Sequence, residues 1–384
     1  MTGSTEQRLP WRDCLILPAL SLLTAVLLLG SAEFTARRLW PKNTVDSCLV
    51  RDSSGMHYKA GCVSKTKIPE GPWVESHYND CGLQSDFPCH FKSAGDLRIA
   101  ILGSSSAEGY MVPFEASYGA GLERILSLKC GRTVEVQNLA VAGTHLTDVA
   151  RRTDEALSLE PDLVLMVLTP YDLWKEIAEV SSVEPAPGPA PSSEPRPNLS
   201  ERMGPLRQAI RESSALLMLR HFLYEDSQTY LEFFLMSNTG GADFLVTPLP
   251  PRWQQGLSYL DGLLGEMAEK IHARGVAFAI VPSFHRPQVA LMNARQAFPG
   301  KDPYVFEREV SKIARKHGIM DLEVTQDFQR AGATENLFYL ADGHMEPKGH
   351  GVLAESLSRQ ILQAQILKQA GCPASPISNL LAVR

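Results

Sequence analysis

The sequence lacks the excess of basic residues with which nucleic-acid-binding proteins hold phosphates. Its 37 lysines and arginines are outnumbered by 43 aspartates and glutamates, giving a net charge of -6, so charge gives no reason to expect a nucleic-acid partner. The seven cysteines include no Cys-x-x-Cys pair, the spacing typical of structural zinc sites. There is no internal repeat, and only one short stretch is of low complexity. Most of the chain is therefore expected to fold.

The N-terminal segment has no charged residue between Cys14 and Ala32. This run is close to the roughly 20 apolar residues that a helix needs to cross a bilayer, and it exceeds the roughly 7–15 of a signal peptide. We therefore expect residues 1–40 to form a cytoplasmic tip and an uncleaved transmembrane signal anchor. A cleaved signal peptide is the alternative, because Gly30-Ser31-Ala32 is small enough to suit a peptidase.

Four cysteines, Cys48, Cys62, Cys81 and Cys89, fall in a loop-like segment rich in glycine, proline, aspartate and serine. Oxidised pairing is expected, with Cys48–Cys62 and Cys81–Cys89 as the local pairing to test first. A zinc site made from Cys81, Cys89 and His90 is the alternative. Together with the anchor, the cysteines predict a single-pass membrane protein whose main domain is extracytoplasmic, in the periplasm or at the cell surface.

Predicted strands and helices alternate after residue 95. Short apolar runs predict strands at 97–102, 134–139, 163–168, 276–281 and 319–324. Helical spacing predicts helices at 118–128, 147–159, from 253 to about 274, at 304–317 and at 347–370. Because parallel neighbours need a crossover, this order predicts an α/β fold, a three-layer flavodoxin-like parallel sheet flanked by helices.

The domain organisation follows from changes in composition. We expect a cysteine-containing extracytoplasmic lead-in at 41–95, one α/β domain at 96–370 and a tail at 371–384. A proline-rich insertion at 183–198 interrupts the domain, and its six prolines leave little that could be buried. Residues 201–236 look helical and amphipathic, and we expect them to pack against the core rather than to form a lid.

Candidate reactive residues follow the predicted strands. Ser105 lies in a Gly-Ser-Ser-Ser segment after the first strand, Gly143 follows the second and Tyr171 the third. Ligands of open parallel sheets bind beyond the carboxyl ends of the strands. Near the C-terminus, Asp342 and His344 are two residues apart, so both side chains can point the same way. The aspartate could then hold the imidazole while the other ring nitrogen faces a serine.

These segments resemble the blocks of the SGNH/GDSL hydrolase family over roughly residues 75–180 and 250–365. The matching positions are Gly103, Ser105 and Gly109 in the first block, Asn138 to Gly143 in the second, Thr169 to Asp172 in the third, and Asp342, His344, Gly349 and His350 in the last. The Asp-x-His spacing and the stretch Tyr78 to Leu83 resemble the exported branch that includes alginate O-acetyltransferase proteins. Two positions depart from the family pattern, Ser104 for an aspartate and Tyr171 for an asparagine.

The resemblance implies a role for each matched residue. Ser105 corresponds to the nucleophile, His344 to the general base and Asp342 to the acid that orients it. The backbone N–H groups of Ser105 and Gly143 would line the oxyanion hole, together with the hydroxyl of Tyr171. His350 is a competing base, but we expect it to be structural because it falls within the last predicted helix.

The function implied is hydrolysis of acetyl or other acyl esters outside the cytoplasm, with no metal or organic cofactor. The expected partners are an ester-bearing small molecule, lipid or glycan as substrate, and the membrane through the N-terminal helix. One alternative is an O-acyltransferase that modifies an extracellular polysaccharide or glycan, with a membrane acyl-donor protein as the partner that supplies the acyl group. Transfer shares its acyl-enzyme with hydrolysis, so the same residues serve both. The other alternative is a non-catalytic binding protein.

Overall fold

The computed structural model describes residues 11–53, 55–183, 208, 210, 212–237, 240–332, 334–368 and 371–372. The proline-rich insertion predicted at 183–198 lies outside these residues, apart from its first residue. Residues 373–384 of the predicted tail also lie outside them.

The chain begins with a long apolar helix, α1 (Trp11–Leu39). Its segment Leu15–Leu39 has a mean hydropathy of 2.2 and is long enough to cross a bilayer. Large apolar side chains, among them Leu22 and Leu29, are exposed along it. A helix that is apolar on all sides suits the interior of a large protein or a membrane, and this one is not enclosed by protein.

The cysteine-containing lead-in forms strands, whereas the sequence predicted a loop-like segment. The strands are β1 (Asn43–Val45), β2 (Leu49–Asp52), β3 (Gly55–Tyr58), β4 (Val63–Lys67) and β5 (Trp73–His77). β1, β4 and β5 make one antiparallel sheet, and β2 pairs with β3. The prediction was wrong because these strands are short and half-exposed, so they lack a regular alternation of apolar residues.

Three disulfide bonds connect six of the seven cysteines. Cys48–Cys62 and Cys81–Cys89 confirm the pairing predicted for the lead-in. A third bond, Cys130–Cys372, joins the main domain to a residue 242 positions later and was not predicted. Disulfides persist in oxidising compartments, so these bonds indicate an oxidising environment for the domain.

The central sheet has five parallel strands, as the sequence predicted. They are β6 (Leu97–Leu102), β7 (Val134–Asn138), β8 (Leu163–Leu168), β9 (Ala277–Pro282) and β10 (Met320–Asp321). Their order in space is β10-β9-β8-β6-β7, which is the flavodoxin-like order. The strand predicted at 319–324 is only two residues long: its last bond to β9 runs from the N–H of Leu322 to the carbonyl oxygen of Ile280 at 2.9 Å, and Val324 is buried in the core beyond the pairing.

Helices cover both faces of this sheet and complete the three-layer fold. They are α2 (Ser105–Glu108), α3 (Tyr118–Cys130), α4 (Leu146–Arg151), α5 (Thr153–Ser158), α6 (Pro170–Val183), α7 (Ser214–Leu223), α8 (Ser227–Ser237), α9 (Pro251–Ala273), α10 (Arg286–Met292), α11 (Val305–Lys316), α12 (Thr325–Ala331) and α13 (Pro347–Gln363). Single turns of 3₁₀ helix lie at Phe114–Ala116, Asp243–Leu245 and Thr334–Asn336.

Two predicted helices end differently in the structure. The helix predicted at 147–159 is divided at Arg152, whose guanidinium donates to the carbonyl oxygen of Leu139 and to Glu155. The last helix ends at Gln363 instead of near residue 370. Gln365 there has a positive φ of 54°, and the turn leads the chain towards the Cys130–Cys372 bond.

Alternate residues of β6 face the two helical layers. Ile99 and Ile101 pack with the buried side chains of α3 and α13. Ala100 and Leu102 pack in the opposite layer, which α9 covers. Because β6 is flanked by β7 on one side and β8 on the other, its carboxyl end lies at the point where the strand order reverses. That crevice is where ligands of such sheets bind.

Candidate active site

The turn after β6 presents Ser105 at the carboxyl edge of the sheet. Gly103 has a φ of 153°, and a Cβ added there would lie 2.3 Å from the Cβ of Ala107 and 2.7 Å from the carbonyl oxygen of Val167. Only glycine therefore allows the chain to turn from β6 into α2 at this point. The turn places Ser105 as the first residue of α2.

A second turn brings Asp342 and His344 to the same place. The backbone N–H of Tyr339 donates to the carbonyl oxygen of His344 at 2.9 Å, and the N–H of Gly343 donates back to Tyr339 at 2.9 Å. Gly343 has a φ of 90°, which closes this tight turn. The N–H of His344 also donates to the carboxylate of Asp342 at 3.2 Å. The two side chains are thereby held on one side of the turn.

The structure brings together Ser105, His344 and Asp342, which the sequence predicted as a group. Nε2 of His344 lies 2.9 Å from the Oγ of Ser105, and Nδ1 of His344 is hydrogen-bonded to Asp342. Burial opposes ionisation of Asp342, but its contacts with His344 outweigh that effect and lower the pKa of Asp342. With a carboxylate accepting from Nδ1–H, Nε2 is left to accept the proton of the serine hydroxyl.

Glu70 holds the turn that carries Asp342, and sequence reasoning missed it. Its side chain is 1% exposed. The carboxylate accepts from the backbone N–H of Ala341 at 2.8 Å and of Asp342 at 2.7 Å. The same carboxylate lies 2.7 Å from Nδ1 of His221 on α7, and the ring of Trp40, just after α1, meets His221 edge-on. Glu70 thus links the lead-in to both the turn and α7.

Glu108 is a second residue that the sequence analysis missed, although it lies three residues after Ser105. One carboxylate oxygen accepts from the hydroxyl of Tyr58 at 2.8 Å, and the other accepts from the N–H of Ala142 at 2.6 Å. Burial raises the pKa of Glu108 to about 7, although these two hydrogen bonds oppose the rise. Since Ala142 directly precedes Gly143, Glu108 fixes the peptide that leads into the predicted oxyanion donor.

The loop after β7 lies beside Ser105, as expected for the second block. The side-chain N–H₂ of Asn138 donates to the carbonyl oxygen of Ala107 at 2.9 Å, and its oxygen accepts from the N–H of Ala140 at 3.0 Å. Gly143, with a φ of 86°, lines a cavity of about 460 Å³ that also contains Ser105 and His344. The structure therefore places the predicted donor in the same cavity as the serine.

The third block is joined to the first through Asp172. This buried carboxylate accepts from the hydroxyl of Ser104, and from the N–H and hydroxyl of Thr169 at 2.8 and 2.6 Å. Ser104, at the position where the SGNH/GDSL pattern has an aspartate, thereby ties the serine turn to the end of β8. A short hydroxyl supports the turn here where the family pattern has a carboxylate.

Tyr171 lies at the rim of the site. It is 51% exposed and lines the cavity that holds Ser105 and His344. Its ring lies 5.2 Å from the ammonium of Lys175 and 5.8 Å from the ring of His285. The role of its hydroxyl as an oxyanion donor stays a prediction.

The competing base, His350, lies inside α13 and is buried. Its Nδ1 accepts from the backbone N–H of Tyr118 at 3.3 Å, and the two rings stack. Burial lowers the pKa of His350 to about 3. A neutral imidazole held in this way supports the packing of α3 on α13.

The residues of the alternative zinc site also cluster. Ligand atoms of Asp80, Cys81, Cys89 and His90 lie within 4.8 Å of one another. However, Cys81 and Cys89 are joined to each other, and zinc is bound by thiolates rather than by disulfide sulfurs. Within the described residues, the oxidised form of this cluster does not fit a structural zinc site.

Comparison with known proteins gave matches among solved structures only. No protein-family model and no curated protein matches the chain. A structure of TesA is 15% identical with a TM-score of 0.39, covering 71% of this chain and 99% of its own. The acetyl xylan esterase AlAXEase is 10% identical with a TM-score of 0.39, covering 69% of this chain and 100% of its own. A lipase/acylhydrolase from Enterococcus faecalis is 11% identical with a TM-score of 0.37, covering 69% of this chain and 95% of its own. Similarity this low carries no weight for activity, so function rests on the geometry of the site.

Proposed function

We propose that this protein is a membrane-anchored serine ester hydrolase that cleaves carboxylic esters outside the cytoplasm. The observation that carries the proposal is the 2.9 Å contact between the Oγ of Ser105 and Nε2 of His344, with Nδ1 of the same ring on Asp342. A nucleophile, a base and a group that orients the base form the minimum arrangement for acyl transfer through a serine.

The reaction proceeds in two halves. In the first, Nε2 of His344 takes the hydroxyl proton as the Oγ of Ser105 attacks the ester carbonyl, and the same proton then passes to the departing alcohol. This leaves an acyl-serine. In the second, His344 removes a proton from water, the hydroxide attacks the acyl carbon, and the carboxylic acid leaves as the proton returns to Ser105. Asp342 holds the ring and stabilises its charged form.

Negative charge develops on the carbonyl oxygen in both halves. The backbone N–H groups of Ser105 and Gly143, with the hydroxyl of Tyr171, are the proposed donors to it. Support comes from Glu108, whose carboxylate fixes the N–H of Ala142 at 2.6 Å next to Gly143. A donor that is already in place costs no rearrangement at the moment of reaction.

The extracytoplasmic, membrane-anchored location rests on two features. The apolar segment Leu15–Leu39 is long enough to cross a bilayer, and three disulfides lie in the part of the chain that follows it, two in the lead-in and one between Cys130 and Cys372. Disulfides are rare in the cytosol and common beyond the membrane. We place the tip before α1 in the cytoplasm and the α/β domain on the other side.

O-acyl transfer to an extracellular glycan is the second candidate, in line with the resemblance to alginate O-acetyltransferase proteins. One observation favours it: a cavity of about 600 Å³ lies between the end of α1, at Trp40 and Lys42, and Asp342. A membrane protein that donates acyl groups would approach from that side. The nucleophile and base would be unchanged, and an acceptor hydroxyl would replace water.

Two measurements test the proposal and separate the candidates. Ser105→Ala and His344→Ala should each abolish turnover of a small acetyl ester, and the double variant should be no worse, because the residues act as one unit. Full activity in both single variants would show that turnover does not depend on Ser105 and His344, and absence of turnover in the wild type would favour the non-catalytic alternative. Incubating the wild type with the ester and an oligosaccharide then distinguishes hydrolysis, which releases only free acetate, from transfer, which acetylates the sugar.

A further inference from the structure

A second cavity, of about 650 Å³, adjoins the site and is enclosed by α7 and α8. From α7 it is lined by Leu216, Leu219, Arg220 and Leu223, and from α8 by Tyr230, Phe233, Phe234 and Ser237. In each helix these residues follow the spacing i, i+3, i+4 and i+7, which defines one face of a helix. Both helices therefore turn one stripe towards the same space, and six of the eight side chains are aliphatic or aromatic.

Such stripes ordinarily pack against the core, but here they are left partly open. Leu219 is 51% exposed and Phe233 is 47% exposed. Exposed apolar surface in a concave, well-defined position marks a binding surface more often than an accident of packing. The apolar lining therefore calls for an apolar occupant.

The cavity borders the catalytic one. Tyr171 lines both this cavity and the cavity of Ser105 and His344. Asp342 and Gly343, from the turn that carries His344, also line it. A group bound between α7 and α8 would thus lie beside Tyr171 and the turn that carries His344, where it could belong to the same substrate molecule as an ester at Ser105.

Few charged groups line this cavity. Among its described residues only Arg220 and Asp342 carry a formal charge, and Asp342 is engaged by His344. Burial lowers the pKa of His285 to about 4, so that ring is neutral near pH 7. The described lining includes no asparagine, glutamine or glutamate, the residues that would satisfy the many hydroxyls of a sugar.

From these observations we infer that the α7–α8 cavity binds an apolar chain of the ester, so that preferred substrates are long-chain rather than acetyl esters. The inference rests on the proposed hydrolase function and specifies its substrate class. The chain could belong to the acyl or to the alcohol part of the ester. Apolar contact is the shared chemistry in either case, and the two are separated below.

The test measures kcat/KM with the full chain in lipid nanodiscs, because detergent would itself fill an apolar cavity. The acyl arm compares p-nitrophenyl acetate, butyrate and octanoate, and the alcohol arm compares ethyl acetate with octyl acetate, all below micelle-forming concentrations. We expect kcat/KM to rise at least about tenfold with chain length in one arm, since each buried methylene adds to binding. The arm in which kcat/KM rises identifies whether the acyl or the alcohol part of the ester enters the α7–α8 cavity.

The double variant Leu219→Gln/Phe233→Gln makes the cavity polar at two exposed positions, where folding is little affected. It should raise KM for the octanoyl or octyl ester about tenfold and leave acetate turnover within twofold. Phe222→Gln is the matched control, because Phe222 lies on α7, is 60% exposed and does not line the cavity. It should leave both substrates unchanged.

Two results would overturn the inference while the hydrolase function stands. One is Ser105-dependent turnover that is indifferent to chain length, or that is fastest on an acetylated oligosaccharide. The other is an equal loss on short and long esters in the double variant, or an effect of Phe222→Gln as large as that of the double variant. Absence of turnover on every ester, in contrast, would count against the hydrolase itself.

Discussion

The carboxylate of Glu70 accepts a hydrogen bond from the backbone N–H of Asp342 at 2.7 Å, across 272 positions of sequence. A side chain from the loop between β4 and β5 of the small lead-in sheet therefore holds the turn that carries the acid and the base. The lead-in is thus part of the active-site scaffold, which joins a segment that precedes the central sheet in sequence to one that follows it.

Glu70→Gln should weaken this support without touching the substrate. A glutamine has one acceptor oxygen and an N–H₂ group that would face the N–H donors of Ala341 and Asp342, leaving a buried donor unpaired. We expect kcat to fall about tenfold with KM within twofold, and the unfolding free energy to fall by about 1–3 kcal/mol. Steady-state kinetics and thermal unfolding measure the two effects.

The control for this prediction is Glu75→Gln, which alters an exposed ion pair with Lys65 on the same small sheet. Exposed pairs contribute little to stability, so this variant should resemble the wild type in both measurements. If Glu70→Gln also matches the wild type in kcat, the turn is held without Glu70 and its positioning role is wrong.

Tyr171 gives a sharper test of the oxyanion hole. If its hydroxyl donates to the developing oxyanion, Tyr171→Phe should lower kcat by about 10²–10³ with little change in KM. Tyr259→Phe is a suitable control. It also removes a tyrosine hydroxyl, one that lies 2.6 Å from the hydroxyl of Thr147, but Tyr259 does not line the cavity of Ser105 and His344. A silent Tyr171→Phe, alongside an inactive Ser105→Ala, would mean that the site uses backbone donors only.

Glu108 predicts a pH dependence of stability. Burial raises its pKa from 4.5 to about 7, so between these values the unfolded chain releases a proton that the native state keeps. The stability that Glu108 contributes is therefore full below pH 4.5 and is lost as the pH rises to about 7, by up to about 3 kcal/mol. Glu108→Gln removes this titration while an amide can still accept from Ala142 and donate to Tyr58.

Melting temperatures at pH 4.5 and 7.5 measure this effect. We expect the melting temperature of the wild type to fall more between the two pH values than that of Glu108→Gln. Glu115→Gln, at an exposed position nearby, should keep the wild-type dependence. An identical fall in all three proteins would show that Glu108 does not titrate in this range.

The membrane anchor is tested by the N-terminus of the mature protein. Glu33, near the end of α1, accepts from the hydroxyl of Ser213 at 2.7 Å and from the N–H of Ser214 at 3.1 Å, where α7 begins. Cleavage after Ala32 would remove the part of α1 that precedes Glu33. We expect the membrane fraction to contain the intact N-terminus, and a soluble mature protein starting near Glu33 would exclude the anchor.

Much of the fold could be predicted because the sheet is buried on both faces. The run Leu163–Leu168 is apolar throughout, and its predicted bounds match β8. Apolar runs did not predict β1 to β5, because these exposed strands carry no comparable pattern. Edge position explains the error at β10, where apolar residues such as Val324 pack in the core without pairing.

The residues of the site also divide into those that the sequence predicted and those that only the structure shows. Ser105 and the pair Asp342 and His344 could be found because each lies in a short local motif. Glu70 and Glu108 gave no such signal, since their partners are distant in sequence and the contacts form only in the folded chain. The spacing of residues 216–223 and 230–237 was visible as amphipathic helix, but only the structure shows that both stripes face one cavity.

The most direct test of the central claim is the site of covalent labelling by a fluorophosphonate. Such a probe reacts with a serine whose proton is taken by a neighbouring base. In the full-length protein we expect the label, located by peptide mass spectrometry, on Ser105 alone, with labelling lost in His344→Ala and kept in His285→Ala. No labelling, or labelling of a different serine, would contradict the assignment of Ser105, His344 and Asp342 as the catalytic group.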